Sequence, residues 1–219
     1  MNNLLKINTN NLKIKFSSKV EGIKITNKKW LIYFENMELN DQFDFVVFTI
    51  PPKQVIDIIP KEKCLVDELS SVEVDPCWSL ILTTKNKLNC LDYNRFNRND
   101  IAYIVFNNSK PKRNNKVNAY IVHSAPEWAK KNLSLEQQEA ETILSNLLAD
   151  QLNQELDIEY IKAHKWLYAQ TRVPLGKPFI KNLDQNLFIG GDWCLGSNVD
   201  SAFNSGLKIA KFISNKFKT

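Results

Sequence analysis

The stretch from Asn186 to Gly206 constrains this chain more than any other. A short β-rich run, Asn186 to Ile189, leads into Gly190-Gly191-Asp192-Trp193-Cys194-Leu195-Gly196, and a helical pattern follows from about Val199. A strand that ends in paired glycines and an acidic residue predicts a tight turn into a helix. Ser197 or Asn198 can cap that helix, and Asp200 in the first turn suits its dipole. Val199, Ala202, Phe203, Gly206, Leu207, Ala210 and Ile213 recur at helical spacing, which predicts a stripe buried along one side. Glycines at a strand end let a ligand approach the backbone, the Asp192 carboxylate is a strong acceptor for hydroxyls, and the helix N-terminus presents free N–H groups. Such a corner suits a ligand group that becomes anionic. The same pattern also describes an ordinary βα turn whose glycines serve close packing.

Four of the 6 glycines lie in this stretch, so the rest of the 219-residue chain is glycine-poor. A hydrophobic fraction of 43% with 11% aromatics excludes disorder, and the length accommodates one domain or two small ones. The formal charge of +5 reflects a Lys-rich surface. Arg occurs only at positions 95, 98, 113 and 172, too few for the bidentate contacts of a nucleic-acid reader. The basic run Lys110 to Lys116 carries no interleaved aromatics and reads as a solvated loop, so no nucleic-acid partner is expected. Cys64, Cys77, Cys90 and Cys194 are widely spaced, without a CxxC pair, and the start is polar; a reduced, cytoplasmic setting fits. With only His123 and His164 to join these cysteines, no metal site is expected. No window approaches the ~18 apolar residues of a membrane span.

Along the chain, Val20 to Ile25 and Trp30 to Phe34 predict a hairpin or meander across polar Thr26 to Lys29. Phe43 to Ile50, stopped by Pro51-Pro52, predicts a strand buried on both faces, as in a parallel sheet, and Lys53 to Ile59 a short helix. From Pro76 the pattern becomes antiparallel: strands at Cys77 to Thr84, Ile101 to Phe106 and Ala119 to His123. Ser134 with Gln137 has the capping-box spacing, and Ala140, Ile143, Leu144, Leu147 and Leu148 predict a helix with one face on a sheet. Between Ile158 and Tyr168 the period is two, with Tyr160, Lys162, His164, Trp166 and Tyr168 on one face and Ile161, Ala163 and Leu167 on the other.

The string Gly191-Asp192-Trp193-Cys194-Leu195-Gly196-Ser197-Asn198-Val199-Asp200-Ser201-Ala202-Phe203-Asn204-Ser205-Gly206 resembles the C-terminal flavin-binding motif of the FAD-dependent amine oxidase superfamily, in particular its renalase-like bacterial oxidoreductases. Further blocks agree in order: Phe43 to Val47 running into Pro51, Pro76-Cys77-Trp78, Asn108 to Pro111, His123 to Trp128, and His164 to Trp166 with Tyr168-Ala169. The resemblance implies FAD as cofactor. It places Asp192, with Gly191 beside it, at the ribityl or pyrophosphate portion, the Val199 N–H at the flavin pyrimidine edge with Asn198 before it, Val20 at the adenine and Pro51 near the cofactor. A helix N-terminus at the pyrimidine edge favours the reduced flavin, which carries negative charge there. The chain departs from the family pattern at Ser197-Asn198, where Gly-Arg is usual, at Ser201, where Gly is usual, and at Leu167, where an Arg is usual.

The implied architecture is α/β (α+β): an incomplete FAD-binding Rossmann-type domain with an inserted antiparallel-sheet substrate domain. Residues 1–75 and 170–219 would form the two parts of the FAD domain and residues 76–169 the substrate domain. The opening G-x-G-x-x-G of such a domain is not in the sequence, whose first glycine is Gly22. The expectation is therefore a truncated product, a chain completed by a second polypeptide that supplies the N-terminal FAD segment, or a decaying gene. The implied function is hydride transfer from a small substrate, an amine or a reduced nicotinamide species, to FAD, with reoxidation by oxygen; the alternative is a non-catalytic fragment with exposed apolar surface. Trp166 and Tyr168 are candidate substrate walls and His164 a candidate acid or base. Each also has a plain reading as a packing residue. Cys194 reads as a small packing residue.

Overall fold

The chain from Val20 to Phe34 folds locally. β1 (Val20–Thr26) and β2 (Lys29–Phe34) form an antiparallel hairpin. Its two connecting residues, Asn27 and Lys28, both take positive φ (53° and 62°), the backbone that matches the twist of paired strands. β3 (Met37–Glu38) adds to β2, so the predicted meander is present as a three-stranded sheet. Trp30 is fully buried and exchanges both backbone hydrogen bonds with Phe43 (2.8 and 3.0 Å). The computed structural model describes residues 12–34, 37–38, 41–59, 63–97, 99–113, 116–182, 184 and 186–216.

A second three-stranded sheet has the order β10-β11-β4 and joins distant parts of the chain. β4 (Val46–Phe48) runs parallel to β11 (Leu187–Ile189), and β10 (Ile180–Asn182) runs antiparallel to β11. The parallel pairing is as the sequence predicts; burial on both faces is not. Val46 and Phe48 are buried, but Val47 is 40% and Phe45 37% exposed. The reason is position: β4 is an outer strand, with no partner on its far side among the described residues. Pro51-Pro52 stops β4 and starts α1 (Pro52–Ile58), because a proline in the first turn has no N–H to lose. A second helix, α2 (Lys63–Ser70), follows and was not apparent in the sequence pattern. Val55, Ile59, Leu65 and Leu69 bury the helices against the hairpin and this sheet.

The third sheet is antiparallel throughout, in the order β6-β7-β8-β5-β9. Its strands are β5 (Glu73–Thr84), β6 (Tyr93–Arg95), β7 (Ile101–Phe106), β8 (Asn118–Ser124) and β9 (Ile158–Val173). β5 starts at Glu73, ahead of the expected Cys77, and runs through Pro76. A register shift between Asp75 and Cys77 accommodates that proline, which cannot donate to the ladder. α3 (Pro126–Lys131) and α4 (Gln137–Leu152) cover one face. α4 begins two residues later than its predicted cap. Glu136, not Ser134, is the N-cap, in a reciprocal capping box with Glu139, while the preceding turn closes through a Leu135 N–H to Asn132 carbonyl bond. Ala140, Leu144 and Leu148 are fully buried and Ile143 is 37% exposed, so the packed stripe is narrower than predicted.

The chain therefore has mixed helices and sheets, with two apolar cores. One gathers residues from Ile23 to Val72 and from Ile180 to Cys194; the other lies between Trp78 and Ala163. α5 (Val199–Lys216) overturns a prediction. It seats Ser201, Ser205 and Ile209 and leaves the expected stripe outside, with Phe203 67%, Val199 48% and Leu207 36% exposed. Close approach explains the choice. A Cβ on Gly190 would stand 2.6 Å from both Ile209 Cδ1 and Ser205 Oγ, so the strand end accepts the small, polar side of this helix.

Candidate functional site

The corner after β11 is built by side chains of the chain itself. The Ser205 hydroxyl accepts from the Gly191 N–H (3.0 Å) and donates to the Pro178 carbonyl (2.7 Å), fastening α5 to the strand end. The Gly190 N–H donates to the Phe48 carbonyl (2.9 Å). Trp193 folds back over Gly191: a Cβ there would lie 2.5 Å from the indole nitrogen, whose N–H donates to the Ile50 carbonyl (3.2 Å). Both glycines thus serve packing within the chain, and neither by itself argues for a ligand. Asn198 is the cap of α5, its side-chain oxygen accepting from the Ser201 N–H (2.8 Å). Ser197 is engaged elsewhere, accepting from the Thr171 N–H of β9 (3.1 Å). Cys194 is fully buried, and burial pushes its thiol up to about 11, in keeping with a packing residue.

Asp192 is different. It opens a 3₁₀ turn, Asp192–Cys194, whose carbonyl receives the Leu195 and Gly196 N–H groups (3.0 and 2.9 Å). Its carboxylate makes no hydrogen bond or ion pair among the described residues, and it lines a narrow crevice with Pro51, Thr171 and Tyr168. Val20 lies on a larger cavity of about 740 Å³, bounded by Phe48, Ile50, Gln54, Leu167 and again Tyr168. A third cavity, of about 520 Å³, lies over the face of the five-stranded sheet opposite α4; Trp166, Tyr168, Ser197 and Cys77 are on its walls, with Pro126 at the start of α3. Tyr168 borders all three.

The structure therefore brings Pro51, Asp192, Val20 and Trp166 to cavities that share one residue of β9, Tyr168, with Gly191 next to Asp192 in the chain. Val199 begins α5, where its N–H belongs to the unsatisfied first turn; it and Asn198 line none of the three cavities. His164 is exposed, edge-on to the Trp166 ring (4.4 Å between centroids), and also lines none of them. The pair that sequence reasoning missed is Tyr103 and His123, whose hydroxyl and Nδ1 lie 2.6 Å apart on the wall of the third cavity. Only the pairing of β7 with β8, which places Tyr103 opposite His123, could have shown it.

The donor set fits a flavin dinucleotide in part. An unpaired carboxylate at Asp192 suits a ligand hydroxyl, and the first turn of α5 suits an electron-rich edge. Among the described residues no group of His, Cys, Asp and Glu is placed to hold a metal ion, and no helix is long and apolar enough to cross a membrane.

No family model matches the sequence. The fold is nevertheless shared with solved structures. A protein named as a protoporphyrinogen oxidase from Exiguobacterium sp. 255-15 superposes with a TM-score of 0.64 at 12% identity, covering 89% of this chain and 46% of its own. Cyclohexylamine oxidase from Brevibacterium oxydans IH-35A gives 0.63 at 12% identity, with 92% and 49% covered. A fatty acid isomerase from P. acnes that produces CLA gives 0.62 at 12% identity, with 92% and 48% covered. The chain has their fold and spans about half their length.

Proposed function

We propose that this chain forms the substrate sheet and the C-terminal cofactor edge of a FAD-dependent oxidoreductase of the amine-oxidase type, with its affinities on the renalase-like side. The observation that carries the reading is Tyr168: a single residue borders the crevice of Asp192 and Pro51, the cavity of Val20 and the cavity over the open sheet. A cofactor edge and a substrate pocket must meet in such a place. Asp192, backed by Gly191, would accept from ribityl or ribose hydroxyls, the Val199 N–H would face the pyrimidine edge with Asn198 holding the helix start, and Val20 and Pro51 would wall the cofactor. When bound, the flavin supplies a hydride acceptor. Trp166 and Tyr168 present flat apolar surface that orients a planar substrate and keeps water from the reacting atoms. The reaction is oxidation of a small molecule, an amine or a reduced nicotinamide, with oxygen as final acceptor, in a cytoplasmic setting. The two separate cores support a division into a cofactor domain, residues 1–75 and 170–219, and a substrate domain, residues 76–169.

A second feature favours a chain that is completed by further polypeptide. Among the described residues β4 has no partner on its outer edge, and the apolar stripe of α5 faces outward. Together they fit a strand that pairs with β4 and a helix that covers Phe203 and Leu207, the strand–helix unit expected to carry the glycine-rich phosphate loop.

Titrating the purified chain with FAD, read by tryptophan quenching and the visible flavin spectrum, tests the assignment. Saturable binding that Asp192→Ala weakens at least about tenfold, about 1.4 kcal/mol, is the expected result. No saturable change up to about 1 mM FAD, a limit of about −4 kcal/mol, would overturn cofactor binding by this chain alone.

A further inference from the structure

We propose that the cavity over the open face of the five-stranded sheet is a binding site for an uncharged, planar ligand bearing an amide-like edge, with the Tyr103–His123 pair as its polar anchor and Trp166 as its apolar wall. The inference deepens the reading above, since it names the substrate class of that site.

The register of the sheet sets the geometry. Tyr103 stands opposite His123 across β7 and β8, and His123 opposite Ser79 across β8 and β5. All three therefore point to the face opposite α4. The Tyr103 and His123 rings are 4.6 Å apart, with the hydroxyl and Nδ1 at 2.6 Å. In one tautomer the Tyr103 hydroxyl donates to Nδ1, leaving Nε2–H as donor and the phenol oxygen as acceptor. In the other, Nδ1–H donates to the phenol oxygen, leaving the hydroxyl as donor and Nε2 as acceptor. Either way the pair retains one donor and one acceptor. That combination complements an amide, which offers both. An ammonium offers only donors and a carboxylate only acceptors.

Charge points the same way. The cavity of about 520 Å³ is lined by no Asp, Glu, Lys or Arg. Burial raises Tyr103 to about 12 and pushes the Cys77 thiol up, while burial and then Lys110 lower His123, so these three groups are uncharged near neutral pH. A lone charged ligand finds no counter-ion among the lining residues, and Lys110, which acts on His123, lies outside them. Trp166, 52% exposed on the same face, supplies the flat surface on which a ring stacks.

Benzamide, benzylammonium and benzoate share one shape and differ in charge, so they serve as probes. Their binding to the purified chain is read by saturation-transfer NMR and Trp fluorescence, without flavin. The expected order is benzamide tightest, with the two ions at least tenfold weaker. Tyr103→Phe should weaken benzamide about fivefold while leaving the melting curve intact, and Trp166→Ala should abolish stacking. Equal or tighter binding of an ion, or benzamide affinity unchanged in Tyr103→Phe and Trp166→Ala, overturns the proposal. FAD titration of the same variants separates the two claims. If FAD binds and benzamide does not, the ligand class fails; if benzamide binds as expected and FAD does not, the cofactor reading fails and this site stands.

Discussion

The five-stranded sheet with α4 and the small β10-β11-β4 sheet with α5 are built alike, a sheet with a helix laid on it, but only the first is closed. α4 puts Ala140, Leu144 and Leu148 into a core completed by Leu80, Leu82 and Val122, all fully buried. α5 seats two serines and one isoleucine and turns Val199, Phe203 and Leu207 outward, beside a sheet whose outer strand has one neighbour among the described residues. Hydrophobic periodicity states that a helix face wants cover. It does not state which element provides it, and for the outer stripe of α5 none of the described residues does.

The contrast can be broken most directly by cutting each stripe. Leu144→Ala should cost about 2–5 kcal/mol in denaturant melts, because it opens a cavity in a closed core. Phe203→Ser should change stability by under about 0.5 kcal/mol and lower self-association in light scattering. Similar losses in the two would show that α5 is covered after all. Next in size is Gly190→Ala, expected to cost about 1–3 kcal/mol by overpacking, since its Cβ would meet Ile209 and Ser205 at 2.6 Å. Unchanged stability there would mean that α5 sits loosely on the strand end.

The smallest effect is a pH slope that belongs to the closed region. His123 is faced by Tyr103 of β7, Cys77 of β5 and Lys110, and its burial lowers its pKa from the usual 6.5. The unfolded chain thus takes up this proton first on acidification. The folded state is favoured fully above about pH 6.5, and that contribution falls as the pH drops toward the lowered value. Melts of the parent and of His123→Gln between pH 8 and 5 should differ in slope, the parent losing more stability. A parallel decline would show that His123 does not titrate differently on folding.

How much of this was legible before folding varies by element. The hairpin, β7, the span of α5 and the parallel character of β4 follow from local runs and their stop signals. Inside β5, Pro76 disguised the strand's true start, because a shifted register tolerates a proline that the pattern treats as a boundary. For α4 the capping-box spacing pointed to Ser134, and the turn before the helix moved the cap to Glu136. At the site, Asp192, Pro51, Val20, Trp166 and Tyr168 were all singled out in advance, yet nothing in their spacing shows that Tyr168 joins the three cavities.

The sequence by itself determined most of the longer strands and helices, though not α2, and also where a strand must turn sharply into a capped helix and that one carboxylate stands at that turn. These depend on neighbours a few residues apart, which propensity and periodicity record. Only the tertiary structure decided that Gly190 and Gly191 make room for Ser205, Ile209 and Trp193, that α5 turns its apolar stripe away from its own sheet, and that Tyr103 meets His123. Most of those depend on register and close approach between residues far apart in the chain, and the lack of room for a side chain at Gly190 and Gly191 is not written in any local pattern.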